Sequence, residues 1–434
     1  MVCRLLIPFL VLSSSVLAAQ TKEQVLHHLN QLLVTTVMDD LFTPPVAARI
    51  YTYPNIAFYE CIRHEDPALL PLAGKLNGLA PPPPEKKVAC DYFIAACIAF
   101  SLTGESLVGS EYKIKDWREV FLDSLKKITE PGLLSASFEY GNKVAGAITA
   151  WYKKDHYSET RAMMRYVASG KPGKWQPTPV DFAPGLEPHW KSIRPMTLKT
   201  AGQFSPAKKL SYSMAKQSLF YKNVMEVYET GKKSDSLKKA IAYYWDDNPN
   251  ISVEQGHFNY FIHKISPAGH WIMLTRQVCI DKEIPVTRSS QAYTLAAISM
   301  FDGFISCWHE KYTTELIRPV TVINRYIDEK WEPLIQTPPF PEFTSGHAVI
   351  SSAAATVLTA LFGDNYSFTD NTEVPFGIPA RTFPSFLTAS EECAWSRVYG
   401  GIHYPETARI SIEQGIKIGR YVLQTCLPSP GKLK

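Results

Sequence analysis

Three short segments hold the residues best able to do chemistry. Lys311 and Arg318 stand seven apart in WHEKYTTELIRPV, Ser345-Gly346-His347 opens a run of small apolar residues in PFPEFTSGHAVISSAAATVLTALFG, and Arg397 and His403 flank two glycines in AWSRVYGGIHYPETARISIEQG. Lys311, Arg318 and Arg397 are cations, Ser345 and Gly346 are neutral donors, and His347 and His403 are ionisable imidazoles. Such a set suits a tetrahedral oxyanion. Arginine forks and the unpaired N–H groups of a helix start neutralise and bond its oxygens. One histidine can bond to the central atom while the other exchanges protons with an oxygen on the opposite side. Each segment also has an ordinary reading when taken alone: a solvated charged face, a capped buried helix with an incidental histidine, and an arginine in a structural ion pair.

The elements that would position these residues are helices. A spacing of seven is about two helical turns, which places Lys311 and Arg318 on one face of a helix that Pro319 ends. Trp308, Tyr312, Leu316 and Ile317 make that helix largely buried, where unpaired cations are costly. Thr344 or Ser345 caps the next helix, Gly346 lets the backbone approach a ligand closely, and His347 falls in the first turn. Gly400 and Gly401 break a helix after Arg397, and Tyr404-Pro405-Glu406 begins another, leaving His403 at a helix entrance.

Across the 434 residues, apolar positions recur at spacings of three and four, as in VLHHLNQLLVTTVMDDLF and YTLAAISMFDGFISCW. Alternating strand-like runs are scarce, so the expected class is all-α. The run LAPPPPEKK reads as a loop, and Gly170 to Pro195 as a longer irregular connector. Trp175, Phe182 and Trp190 are too apolar for a solvated linker, so the connector is expected to pack against the helices. It divides the chain into an N-terminal helical half, residues 20–195, and a C-terminal catalytic half, residues 196–434.

The net charge of +4 and the 45% hydrophobic content match a soluble globular protein and give no reason to propose nucleic acid as a partner or stable membrane insertion. Residues 1–19 read as a secretory signal peptide, with Arg4, the apolar run Leu5 to Leu12, and small residues up to Ala18 and Ala19. The expected location is therefore secreted or periplasmic. After its removal, Cys61, Cys90, Cys97, Cys279, Cys307, Cys393 and Cys426 remain, an odd set without the tight paired spacing of a disulfide framework or a zinc site. Small buried residues are the default reading for all of them.

Lys311, six residues, then Arg318-Pro319; Ser345-Gly346-His347; and Ser396-Arg397, five residues, then His403: this ordered set resembles the three-part signature shared by vanadium-dependent haloperoxidases and type 2 phosphatidic acid phosphatases, including bacterial acid phosphatases. The resemblance implies an all-helical fold of four-helix bundles with the anion site in the C-terminal half. It implies that Lys311, Arg318, Ser345, Gly346 and Arg397 hold the equatorial oxygens of vanadate, that His403 is the axial ligand of the metal, and that His347 is the acid–base partner. Trp308 and Phe340 match aromatic positions near the vanadate in fungal chloroperoxidases and favour the peroxidase branch, with hydrogen peroxide and halide as substrates. Asp247 in YYWDDNPN matches the acid that pairs with the third-motif arginine, with Asp246 as the competing choice. Thr344 stands where proline is usual. Thr407 stands where the family often has an aspartate, so either Glu406 orients the imidazole or His403 is held less firmly.

Two other readings stay open on these residues. A phosphatase would use the same cage for a phosphoester, with His403 as nucleophile forming a phosphohistidine, His347 protonating the leaving oxygen, and no metal. A non-catalytic oxyanion-binding protein would need only the cations and donors. Halide or phosphoester specificity and oligomeric state are left open by the sequence.

Overall fold

The computed structural model describes residues 20–81, 89–233, 235–249, 251–255, 258–262 and 264–427. The expected signal peptide and most of the proline run after Leu79 lie outside the described residues. Before the connector come α1 (Lys22–Asp39), α2 (Pro44–Ile62), α3 (Tyr92–Glu105), α4 (Tyr112–Leu125), α5 (Pro131–Tyr152) and the short α6 (Tyr157–Ala162). After it come α7 (Leu219–Lys233), α8 (Ser236–Tyr244), the hairpin of β1 (Ile251–Gln255) and β2 (Phe258–Ile262), α9 (Pro267–Asp281), α10 (Val286–Thr314), α11 (Pro319–Tyr326) and α12 (Gly346–Phe362). A second hairpin of β3 (Phe368–Asp370) and β4 (Arg381–Phe383), then α13 (Phe386–Tyr399) and α14 (Pro405–Cys426), complete the chain. The all-α expectation holds. Among the described residues, strands are confined to these two antiparallel hairpins, paired for example at Val253 with Tyr260 and Thr369 with Thr382. No described helix is long and apolar enough to cross a membrane.

Local chemistry sets the helix boundaries. Thr21 and Gln24 form a reciprocal capping box at the start of α1, and Asp91, Asp235, Ser266 and Ser385 each accept a backbone N–H at the start of α3, α8, α9 and α13. The long helix α10 is buried along nearly its whole length and packs against α2, α9, α12 and α14. A helix buried on every side belongs in the centre of a core. One apolar cluster accordingly runs from Ile56 and Phe58 of α2 through Phe304 of α10 to Val357 of α12 and Val422 of α14. The seven described cysteines form no disulfide, and all but Cys90 are buried.

The connector packs as expected at Trp175 and Trp190, which are buried, but Phe182 is 60% exposed. Its path is set by backbone contacts instead. Trp175 N–H donates to Glu315 O, Ile317 N–H donates to Gly173 O, and Leu186 N–H donates to Pro339 O. Further on, the buried carboxylate of Asp302 on α10 accepts the N–H groups of Met196, Thr197 and Leu198. With the connector anchored on both sides, Phe182 can project into water.

A second expectation fails in an informative way. Lys311 and Arg318 do not share a helix face: α10 stops at Thr314, and Glu315 takes a left-handed conformation with φ 52°. Arg318 is then the extended N-cap residue of α11, and Pro319 opens that helix rather than ending the previous one. Proline is tolerated in a first turn, where its missing N–H has no intrahelical partner, and it forces its predecessor out of the helical region.

The tightest helix pair in the site's half is α12 against α14. A Cβ on Gly415 would come within 2.2 Å of Val349 O, and one on Gly419 within 2.6 Å of Ala353 O. Two glycines one turn apart thus let α14 lie directly on the backbone of α12. This contact holds the start of α12, with His347, in register with the start of α14, beside His403. Gly415→Val is expected to destabilise the protein by about 3 kcal/mol or more through backbone displacement. Gly146→Ala, at an exposed α5 position where a Cβ would meet nothing, is expected to stabilise it by about 1 kcal/mol. Urea unfolding of both variants checks the contrast.

Candidate functional site

Three turns converge on one small pocket. The turn after α10 brings Arg318, the loop before α12 and the first residues of that helix bring Phe340 and the Ser345-Gly346-His347 step, and the last turn of α13 with the turn that follows it brings Arg397 and His403. In that last turn Gly401 has φ +81°, and the N–H groups of Ile402 and His403 fold back onto Arg397 O. The five-residue spacing is thereby closed into a loop, so the Arg397 and His403 side chains reach the same pocket. Phe304, Trp308, Phe340, Gly346, His347, Arg397 and His403 are among the lining residues, and the cavity is about 20 Å³, room for roughly one water molecule. Lys311, Arg318 and Ser345 stand immediately behind this lining, all fully buried.

The two cations of the first motif are differently engaged. Lys311 Nζ donates to Pro341 O at 2.8 Å and Glu342 O at 3.1 Å, and lies 4.7 Å from the centre of the Phe340 ring. Arg318 Nε donates to Phe340 O at 2.9 Å, Nη1 donates to Ile402 O at 2.8 Å, and its guanidinium also faces Phe340. Arg318 Nη1 lies 3.1 Å from His403 Nε2. A guanidinium has only donors, so Nε2 must be the acceptor and Nδ1 must carry the ring proton.

That proton goes to a residue the sequence reading missed. Glu342 Oε1 accepts from His403 Nδ1 at 2.8 Å and from the Tyr404 N–H at 3.0 Å, and Oε2 accepts from Thr407 Oγ1 at 2.9 Å. The carboxylate expected at position 407 has moved to the loop before α12, and Thr407 has become its donor. Glu406 does not substitute, since its side chain pairs with Arg409. His403 is therefore held firmly. The available signal was Glu342 itself, a lone acid in the apolar PFPEFTSGH segment.

Asp247 is not the partner of Arg397. Arg397 Nη1 donates to Trp245 O at 2.7 Å, and Nη2 lies 3.6 Å from Asp246 Oδ1. Asp247 instead meets His270 Nδ1 at 3.2 Å. Adjacent residues in a non-helical segment project to opposite sides, so only one of the two acids can face the arginine.

Several buried polar atoms at this site have no hydrogen-bond partner: Ser345 Oγ, His347 Nε2, Arg318 Nη2 and Arg397 Nε. Ser345 occupies the N-cap of α12, as expected, yet its hydroxyl makes no capping bond. Several such atoms gathered at one place invite a ligand or ordered water there. Around Gly346 a Cβ would meet only Trp308 at 3.5 Å, an ordinary contact. Packing therefore does not demand glycine there; Gly346 lines the pocket, and an N–H in the first turn of a helix has no intrahelical acceptor.

The charges agree. Burial, opposed by Glu342, lowers Lys311 to about 7 and Arg318 to about 10. Burial raises Glu342 to about 7, against the Tyr404 N–H and the Arg318 and Lys311 charges. His347 and His403 are both held well below the usual imidazole range, first by burial and then by the surrounding cations. The site thus holds neutral imidazoles within an electropositive, desolvated cage, complementary to a multiply charged anion.

A family model, VCPO second helical-bundle domain, matches residues 291–428. The chain is 40% identical to a bacterial vanadium-dependent iodoperoxidase of known structure, with a TM-score of 0.88, covering 93% of this chain and 96% of that one. Holo and apo structures of a bacterial vanadium-dependent chloroperoxidase share the fold at 15% identity, with TM-scores of 0.66 and 0.68; each covers 89% of this chain, and 93% and 94% of theirs. A search of curated proteins finds no match.

Inorganic phosphate, as a tetrahedral anion, is expected to raise the melting temperature in proportion to the logarithm of its concentration above Kd. Arg397→Ala should abolish the shift. A wild-type melting temperature indifferent to phosphate would show that the cage does not hold such an anion.

Proposed function

From the premise that the chain belongs to the vanadium-dependent haloperoxidase superfamily and is an enzyme, we propose that it oxidises a halide, iodide foremost, with hydrogen peroxide at a vanadate held by His403. The observation that carries this reading is a cluster of buried polar atoms without hydrogen-bond partners, His347 Nε2 and Arg397 Nε on residues that line the pocket and Ser345 Oγ and Arg318 Nη2 on residues just behind it. These atoms fit vanadate in charge and in donor number. Iodide as the halide is supported by the 40% identity to an iodoperoxidase.

When bound, vanadate supplies a Lewis-acidic centre that activates peroxide toward halide without changing oxidation state. The residues that would hold it are His403 through Nε2, Arg318 and Arg397 through their guanidinium groups, Ser345 through its hydroxyl and Gly346 through its N–H. Lys311 adds positive charge from behind Phe340. Glu342 keeps the His403 proton on Nδ1, so that the Nε2 lone pair faces the cage. Arg318 Nη1, which occupies that lone pair now, must turn toward the anion for His403 to bind it.

His347 does the proton work. Burial and the neighbouring cations keep its imidazole neutral, so Nε2 can take a proton from incoming hydrogen peroxide and return it later to a leaving oxygen. Trp308, Phe304 and Phe340 exclude bulk water from this exchange. A polarisable, weakly hydrated anion such as iodide suits an aromatic wall better than a strongly hydrated one. The proposed secreted or periplasmic location rests on residues 1–19 alone.

Two measurements test this. Iodide oxidation by the purified protein should require hydrogen peroxide and orthovanadate and be lost in His403→Ala. Hydrolysis of a chromogenic phosphate ester that vanadate inhibits, without iodide oxidation, would make the enzyme a phosphatase instead. Glu342→Gln should weaken vanadate affinity by roughly 10–100-fold, the usual consequence of losing the partner that orients a metal-bound histidine, with little change in the KM for iodide. Unchanged vanadate affinity would remove Glu342 from the positioning role.

A further inference from the structure

Behind Arg397 lies a second ionisable cluster that the oxyanion chemistry does not use. His270 of α9 has no solvent exposure. Its Nδ1 faces Asp247 Oδ1 at 3.2 Å and Glu373 Oε1 at 3.5 Å, while Nε2 faces Asp370 Oδ2 at 2.8 Å and Thr372 Oγ1 at 2.7 Å. Asp247, His270 and Glu373 each present one ligand atom, all within 4.8 Å of one another. The side chain of Glu373 belongs to a residue only 3% exposed, and its Oε1 has no hydrogen-bond partner. A buried carboxylate oxygen pointing at two other ligand atoms without a donor of its own is the group a cation would satisfy.

The charge balance points the same way. The nearby cations are spent on Asp246: Lys264 Nζ lies 3.1 Å from Asp246 Oδ2, and Arg397 Nη2 lies 3.6 Å from Oδ1. Arg381 is paired with Glu392. Asp247, Asp370 and Glu373 are left with one imidazole among them. Three buried acids around a single ring need protons or a cation to balance them.

We propose that Asp247, Glu373 and the Nδ1 of His270 form a buried site for a divalent first-row transition cation, of the Mn²⁺ or Zn²⁺ class. An imidazole nitrogen beside two carboxylate oxygens suits these ions, whereas calcium and magnesium prefer all-oxygen shells. Asp370, accepting the Nε2 proton, completes the carboxylate–histidine–metal arrangement that fixes a ligating ring. The ion replaces the Nδ1 proton as the bridge between His270 and the two acids.

The site also acts on the pocket. Trp245 stacks on His270 with ring centres 4.7 Å apart, and Trp245 O accepts from Arg397 Nη1. An ion between Asp247 and His270 therefore pins the segment that orients Arg397. The inference stands on the cluster alone and does not depend on which anion the cage holds.

The test is titration of chelator-treated full-length protein with MnCl₂, reading free Mn²⁺ by electron paramagnetic resonance. One tightly bound equivalent per chain is expected, with spin-echo coupling to one imidazole nitrogen. Glu373→Gln should weaken binding by about tenfold or more. Absence of stoichiometric binding overturns the site, as does a bound ion without nitrogen coupling or equal binding by Glu373→Gln. Should that variant fail to fold, the nitrogen coupling of the wild-type complex decides alone.

Discussion

The constraint on which the rest of this structure depends is the burial of Lys311, Arg318 and Arg397 around one pocket. Removing a cation from water costs several kcal/mol even after relaxation, and like charges close together add to that cost. The fold meets the demand with fixed acceptors: the carbonyls of Pro341 and Glu342 for Lys311, of Phe340 and Ile402 for Arg318, and of Trp245 for Arg397. Each is a loop carbonyl with no helix partner. The loops that carry the site are thus ordered by the charges they surround, and the compensation is incomplete, since Arg318 Nη2 and Arg397 Nε have no hydrogen-bond partner.

Glu342 ties this electrostatic arrangement to orientation. Its carboxylate accepts from His403 Nδ1, the Tyr404 N–H and the Thr407 hydroxyl, while its carbonyl accepts from Lys311. One residue therefore joins the loop before α12 to the start of α14 and sets the histidine tautomer. Rigid support comes from the helices beneath, where Gly415 and Gly419 bring α14 onto the backbone of α12. Displacing those helices would separate His347 from His403 without touching either side chain.

Behind the pocket, the adjacent acids Asp246 and Asp247 divide their roles between two sites. Asp246 faces Arg397 and Lys264, and Asp247 faces His270. Trp245 links them, stacked on one side and hydrogen-bonded through its carbonyl on the other. A change in the His270 cluster is transmitted to Arg397 through this one short segment, which is a contiguous physical connection rather than a coupling at a distance.

By itself the sequence determined the helical class, because apolar spacing of three and four is a local property of the chain. It also pointed to residues that the fold brings together, because a helix start at Gly346, a glycine break after Arg397 and a proline-marked start at Pro405 are all local signals. What it misplaced were partnerships. Pro319 reads equally as the end of one helix or the opening of the next, and only the left-handed turn at Glu315 decides. Asp246 and Asp247 are indistinguishable until the segment's orientation toward Arg397 is known. Glu342, 61 residues from His403 in the chain, offers no spacing signal at all. Periodicity and capping are written within a few residues, whereas a buried ion pair or a histidine's orienting acid is chosen by which loops the helices bring together, and that is settled only in the packed tertiary structure.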